Sequence, residues 1–240
     1  DLASMPGGGL RSVALDYGLR SYMAAAIFSS EGRVVGMIVV YRPQAAEPPP
    51  AQSDLLQLAS RLASVCIEQS ELNGQLAFRA QHDALTGLLN RPSFEDRLKQ
   101  AIAQAGRHKR LLGVLSVDMD RFKVVNDTLG HAAGDDLIRQ VARRLALCLR
   151  ETDVLARWGG DEFVIGLLDV RDHQDPARVA EKVLEALKQP FPVAERQVKA
   201  GVSIGVSVYP QDGTDVATLV RRADMAMYRA KAMGRGSLAI

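Results

Sequence analysis

At 240 residues, 47% of them hydrophobic and 24% charged, the chain is long enough to bury one large core, or one domain plus part of another. Thirty basic residues against 28 acidic ones leave a formal charge of +2, which gives no support to a nucleic-acid-binding surface or a polybasic membrane patch as the main activity and makes any phosphate chemistry local. No apolar run approaches the roughly 18 residues of a membrane span, so no membrane segment is expected in this chain.

The opening DLASMPGGGL lacks the basic and apolar regions of a signal peptide, and its start without Met predicts a cut or processed piece of a cytoplasmic protein. Residues 21–42, SYMAAAIFSSEGRVVGMIVVYR, read as two strands about a turn at 30–32. A lone hairpin cannot bury both its faces, so 1–50 is expected to be the trailing part of a larger domain. The proline-rich PQAAEPPPAQ then breaks the chain, and Ser53 or Asp54 is placed to cap a helix within 51–82. In that helix Leu55, Leu58, Leu62, Val65, Leu72 and Leu76 fall at alternating steps of three and four, with Gln69 in the one polar slot. This is the pattern of a two-helix seam, and it fits equally an amphipathic helix lying on its own domain.

From 83 to 240 strands and helices alternate. Helices are predicted at 91–105, 134–150, 176–188 and 215–233; strands at 111–120, on either side of GGDE, and within KAGVSIGVSVYP. The expected fold is α/β (α+β), a mixed sheet flanked by helices. Cys66 and Cys148 sit among apolar residues without metal-ligand spacing, so both are predicted to be buried free thiols in a reducing compartment.

Chemistry concentrates at two places. In SVDMDRFKVVND, residues 116–127, an apolar strand ends in Asp118 and Asp120, which alternation places on one face. In RWGGDEFVIG, residues 157–166, Asp161 and Glu162 stand at the tip of a hairpin whose Gly159 and Gly160 admit the positive φ angles of a tight turn. Clustered carboxylates are costly unless something binds them. Several carboxylate oxygens at one sheet edge suit Mg²⁺ (or Mn²⁺), ions that usually share their shell with substrate phosphates. An isolated GGDE reads just as readily as a solvated acidic turn.

It is not isolated. With DALTGLLNR, DMDRFKVVNDTLGHAAGD and RWGGDEF in this order, residues 83–240 resemble the GGDEF family of diguanylate cyclases, which condense two GTP into cyclic di-GMP on a palm-like sheet. GLRSYMAAAIFSSEGRVVGMIVVYR resembles the closing strands of a GAF sensory domain. The first resemblance implies metal ligation by Asp118, the Met119 carbonyl and Asp161, with Glu162 as a second-metal ligand or a proton acceptor. It implies guanine recognition by Asn126 and Asp135, and phosphate contacts along Asp120, Arg121, Phe122 and Lys123 and at Gly160. Lys231 and Arg235, four residues apart in the last helix, would both face the triphosphate. Arg150 and Asp153 match the family's RxxD site for inhibition by its own product. His82 and His131 are expected to be structural and Trp158 a packing residue; Gly236 stands where the family often has Asn. One GTP site per subunit implies a homodimer and no nucleic-acid partner. Two other readings remain open: a catalytically silent cyclic di-GMP receptor, and a scaffold regulating a neighbouring phosphodiesterase domain.

Overall fold

The computed structural model describes residues 13–240, Leu15 and Ala46 excepted, so the opening decapeptide lies outside the described residues. The chain divides into two compact units, Asp1–Phe78 and Arg79–Ile240.

In the first unit β1 (Ser21–Phe28) and β2 (Val34–Arg42) form the expected antiparallel hairpin, with Tyr22 opposite Tyr41 and a bulge at Ile27/Phe28. Helix α1 (Pro50–Gln81) begins at Pro50 and not at Ser53 or Asp54. Proline is well suited to a first helical position, where its missing N–H would have no partner, so the proline run leads into the helix. One side of α1 lies on the hairpin: Leu56 and Ser60 are buried, the Ser60 hydroxyl donates to the Ala26 carbonyl at 2.7 Å, and the Ser64 hydroxyl donates to Phe28. The Ser30 N–H donates to the Glu68 carboxylate. The six apolar residues of the seam are 53–65% exposed, so they do not serve to hold the helix on its own unit. Cys66 is also exposed, contrary to expectation, because its place on the helix adjoins the seam; Cys148 is buried as expected.

The second unit continues with α2 (Arg91–His108), β3 (Leu111–Met119), α3 (Phe122–Leu129), α4 (His131–Cys148), β4 (Val154–Gly159) and β5 (Glu162–Val170). Then come α5 (Asp175–Lys188), β6 (Phe191–Val193), β7 (Arg196–Val198), β8 (Val202–Tyr209), α6 (Val216–Ala232) and β9 (Leu238–Ala239). Five strands form a mixed sheet in the order β4-β5-β3-β8-β9, with β3 central and antiparallel to both neighbours and β9 parallel to β8. Strand alternation assigns the two faces. Leu115, Val117 and Met119 of β3 pack with α4 and α5, whereas Leu112 and Val114 pack with Phe94 and Leu98 of α2 and Leu219 and Ala223 of α6. Gly205 lets α6 lie directly on β8, since a Cβ there would sit 1.9 Å from the Ala223 carbonyl oxygen.

Two elements depart from the sequence reading in ways that matter for the site. Gly130, at φ +85°, divides the segment after β3 into two helices, so α3 is a separate element and α4 starts at His131. Helix α6 stops at Ala232, and Arg235 lies beyond it in a turn at φ +63°. Lys231 and Arg235 are therefore not related by a helical turn.

Candidate active site

The end of β3 fixes the first acid. Asp118 lies opposite Glu162 in the β3–β5 register, so their side chains share the face covered by α2 and α6. Asp118 is buried at 7% exposure, and from α6 the Lys231 Nζ meets its Oδ2 at 2.8 Å. Burial pushes the Asp118 carboxyl above the ordinary carboxylate range and Asp161 and Asp120 add to it, while the Lys231 hydrogen bond and charge oppose the shift. The Glu162 carboxyl is likewise raised, first by burial and then by Asp118, Asp224 and Asp161. Asp224, which the sequence did not single out, faces the same cavity of about 700 Å³ between α2 and α6 as Glu162.

At the hairpin tip Gly160 takes φ +50°, whereas Gly159 ends β4 without a positive φ, so one glycine of the pair carries the turn. The Asp161 carbonyl accepts from the Met119 N–H at 3.3 Å, tying the signature hairpin to the end of β3. Among the described residues no three His, Cys, Asp or Glu side chains converge closely enough to form a metal cluster. The donor set nevertheless suits a hard divalent cation: two carboxylates face each other beside a third on the hairpin, and the partly buried Lys231 ammonium offsets part of their charge.

Asp120 is directed elsewhere. Its Oδ1 accepts from the Ser203 hydroxyl at 2.8 Å and its Oδ2 from the Gly236 N–H at 2.9 Å, so it anchors the turn after α6 to the end of β3. Gly236, at φ +60°, provides that N–H without a side chain. Arg121 follows in the left-handed region at φ +58° and opens α3, whose first turn has no side-chain cap. The first-turn N–H groups near Phe122 and Lys123 therefore form an anion-accepting helix start at the end of the strand that bears Asp118. Asn126 on α3 and Asp135 on α4 belong to adjoining helices, and Gly134 allows the Asn126 carboxamide to pack onto α4.

Arg157 is the principal structural residue the sequence did not single out. Its guanidinium reaches both oxygens of Asp83 at 3.1 Å and, through Nε and Nη2, the Gly160 carbonyl at 2.9 and 2.7 Å. The Thr86 N–H and hydroxyl also donate to Asp83. Burial would raise the Asp83 carboxyl, but Thr86 and Arg157 together hold it below the ordinary range. Trp158 packs as expected, edge-on to Phe94 with the Arg91 guanidinium 4.6 Å from its ring centre. The DALTGLLNR turn thus braces the signature hairpin.

The RxxD pair lies in the loop before β4, away from the acids of β3. The Asp153 carboxylate accepts from the Arg150 N–H at 2.9 Å and the Leu168 N–H at 3.2 Å, which fixes the loop. Arg150 lines a cleft of about 570 Å³ with Lys109, Arg110 and Arg171. His131 begins α4.

Comparison with known proteins gives a family model, "Diguanylate cyclase, GGDEF domain", over residues 80–237, and a GAF domain model over 7–67. The chain is 40% identical over 185 residues to the diguanylate cyclase TpbB of Pseudomonas aeruginosa strain UCBPP-PA14, covering 77% of this chain and 42% of that protein. It is 42% identical over 179 residues to the bifunctional diguanylate cyclase/cyclic di-GMP phosphodiesterase MucR of P. aeruginosa, covering 75% of this chain and 26% of MucR. The chain thus spans less than half the length of these curated relatives. A solved structure of the TpbB GGDEF domain from P. aeruginosa superposes with a TM-score of 0.65 at 42% identity, covering 66% of this chain and 92% of that one. The coiled coil and GGDEF domain of DgcB from Caulobacter crescentus, solved with c-di-GMP, gives 0.66 at 29% identity, covering 76% and 99%. With Asp118 opposite the signature's Glu162 at the end of a palm-like sheet and the family model matched over most of the chain, this protein belongs to the GGDEF diguanylate cyclase family.

Proposed function

We propose that the chain is an active diguanylate cyclase, joining two GTP into cyclic di-GMP with release of two pyrophosphates. The observation that carries this reading is the Lys231–Asp118 pair opposite Glu162, an acidic centre whose charge is only partly matched by the protein itself. Asp118, the Met119 carbonyl and Asp161 would hold a divalent cation, Mg²⁺ or Mn²⁺. When bound, that cation supplies the positive charge that acidifies the attacking 3′-hydroxyl and offsets charge developing on the α-phosphate.

The chain's own groups do the rest. Lys231 turns from Asp118 toward phosphate oxygens as the triphosphate arrives, joined by Arg235 and by the open N–H groups at the start of α3. Asn126 and Asp135 orient the guanine. Glu162, its carboxyl held high by burial and neighbouring acids, accepts the proton of the 3′-hydroxyl. The new bond joins O3′ of one GTP to the α-phosphorus of the other. The bond from that phosphorus to the bridging oxygen breaks, and pyrophosphate leaves. The reciprocal attack closes the ring, so two copies of the chain must face each other. Product returns to Arg150, whose cleft with Lys109, Arg110 and Arg171 suits its phosphates, and the Asp153-fixed loop sets the position of Arg150.

The test is incubation with GTP and Mg²⁺ after phosphodiesterase treatment has stripped bound product, with products identified by mass. The parent is expected to yield cyclic di-GMP and Asp161→Ala none. A dimeric parent that binds GTP and makes no product would instead be the silent receptor.

A further inference from the structure

Gly134 is costly where it stands. It lies in the first part of α4, is buried, and replaces a residue that would favour the helix. A Cβ built on it would lie 1.8 Å from Asn126 Oδ1, 2.9 Å from Asn126 Cγ and 3.1 Å from Phe122 Cζ. The space a side chain would fill is taken by the carboxamide of Asn126. That carboxamide is itself unusual: Asn126 Oδ1 is the one buried side-chain polar atom without a hydrogen-bond partner among the described residues. A buried, unsatisfied acceptor is unfavourable, so the fold sustains two local costs at one contact.

Resting on the proposed cyclase reading, we infer that Gly134 is a positioning residue for guanine recognition: its missing side chain seats the Asn126 carboxamide against α4, beside Asp135. With Oδ1 turned inward, the amide nitrogen is the polar atom left to serve a ligand. Asp135, the next residue after Gly134, supplies an acceptor from the adjoining helix. A donor from α3 and an acceptor from α4 match a guanine edge, which presents both kinds of group. The two helices must approach this closely for both groups to reach one base. The clashing atom is the far end of a flexible side chain, so alanine at 134 would leave the fold standing and rotate the carboxamide out of its seat.

The test measures GDP binding with Mg²⁺ by calorimetry, since GDP keeps the base and cannot be cyclised. Gly134→Ala is expected to raise the Kd for GDP roughly three- to tenfold, the loss of one neutral hydrogen bond, while melting within about 4 °C of the parent. In full turnover the loss should fall on KM for GTP more than on kcat. Adding Gly134→Ala to Asn126→Ala should change the Kd no further, because the group that Gly134 seats is already gone. If Gly134→Ala binds GDP as the parent does, or weakens binding equally with and without the Asn126 carboxamide, the inference is overturned. A parent that does not bind GDP overturns it as well. A parent that binds GDP without cyclising GTP defeats the cyclase reading and leaves this comparison intact.

Discussion

Lys231 shows what one side chain does in two states. Without substrate it neutralises a buried carboxylate at 2.8 Å; with substrate it would serve the triphosphate. Lys231→Met should therefore have two separate effects. Stability should fall by about 1–3 kcal/mol at neutral pH, read by urea unfolding, because Asp118 is left buried without its partner. Cyclase turnover should fall by roughly a hundredfold or more, as expected when a preorganised charge is removed from phosphoryl chemistry. A stable variant with parental turnover would remove Lys231 from the mechanism. Arg150 makes the opposite case: Arg150→Ala should leave the β3 acids untouched and raise the product concentration needed for half-inhibition roughly tenfold or more. At this scale the sequence offers candidates where the proposed chemistry demands particular residue types, as at Asp118, Asp161 and Asn126. It was silent on Arg157, Asp224 and Gly134, whose roles depend on which strand or helix the topology sets beside them.

Among the elements, the turn before α2 and the signature hairpin behave as one braced unit through Asp83, Thr86 and Arg157. The Asp83 carboxyl is held below its ordinary range, so the folded state binds that proton more weakly than the unfolded chain does. The contribution is thus present above about pH 4 and lost as pH falls through the folded value. Asp83→Asn should cost about 1–3 kcal/mol at pH 7, and the gap to the parent in thermal unfolding should narrow below pH 4. A gap that stays constant with pH would mean the carboxylate charge plays no part. Gly205 marks what pattern reading could not reach. Its strand is predicted within KAGVSIGVSVYP, but the need for glycine arises from the α6 backbone lying on it, seen only once β8 and α6 are packed. The separate helix α3 and the turn that carries Arg235 were hidden for a similar reason: backbone geometry at Gly130 and after Ala232 overrides the helical pattern.

For the molecule as a whole, the question is how two half-sites meet. Periodicity alone leaves α1 open to two uses, and burial distinguishes two sets of residues along it. Leu56, Ser60 and Ser64 serve the hairpin, while Leu55, Leu58, Leu62, Val65, Leu72 and Leu76 form an apolar stripe more than half exposed. A stripe of this length at alternating three- and four-residue spacing is one that a second copy of the same helix would cover, and Gln69 in the seam would then favour one register at some cost in stability. If the cyclase requires two facing subunits, activity must then depend on this stripe and on concentration. Leu62→Lys with Val65→Lys should shift the chain from dimer to monomer in sedimentation at micromolar concentration. It should lower turnover per chain most at low concentration, with partial recovery on concentrating the sample, while the monomer retains its GDP affinity because the stripe supplies none of the residues proposed to hold the nucleotide. Unchanged sedimentation with unchanged turnover would sink the seam as the dimer contact. A monomeric variant that keeps full turnover at every concentration would defeat the two-subunit mechanism itself.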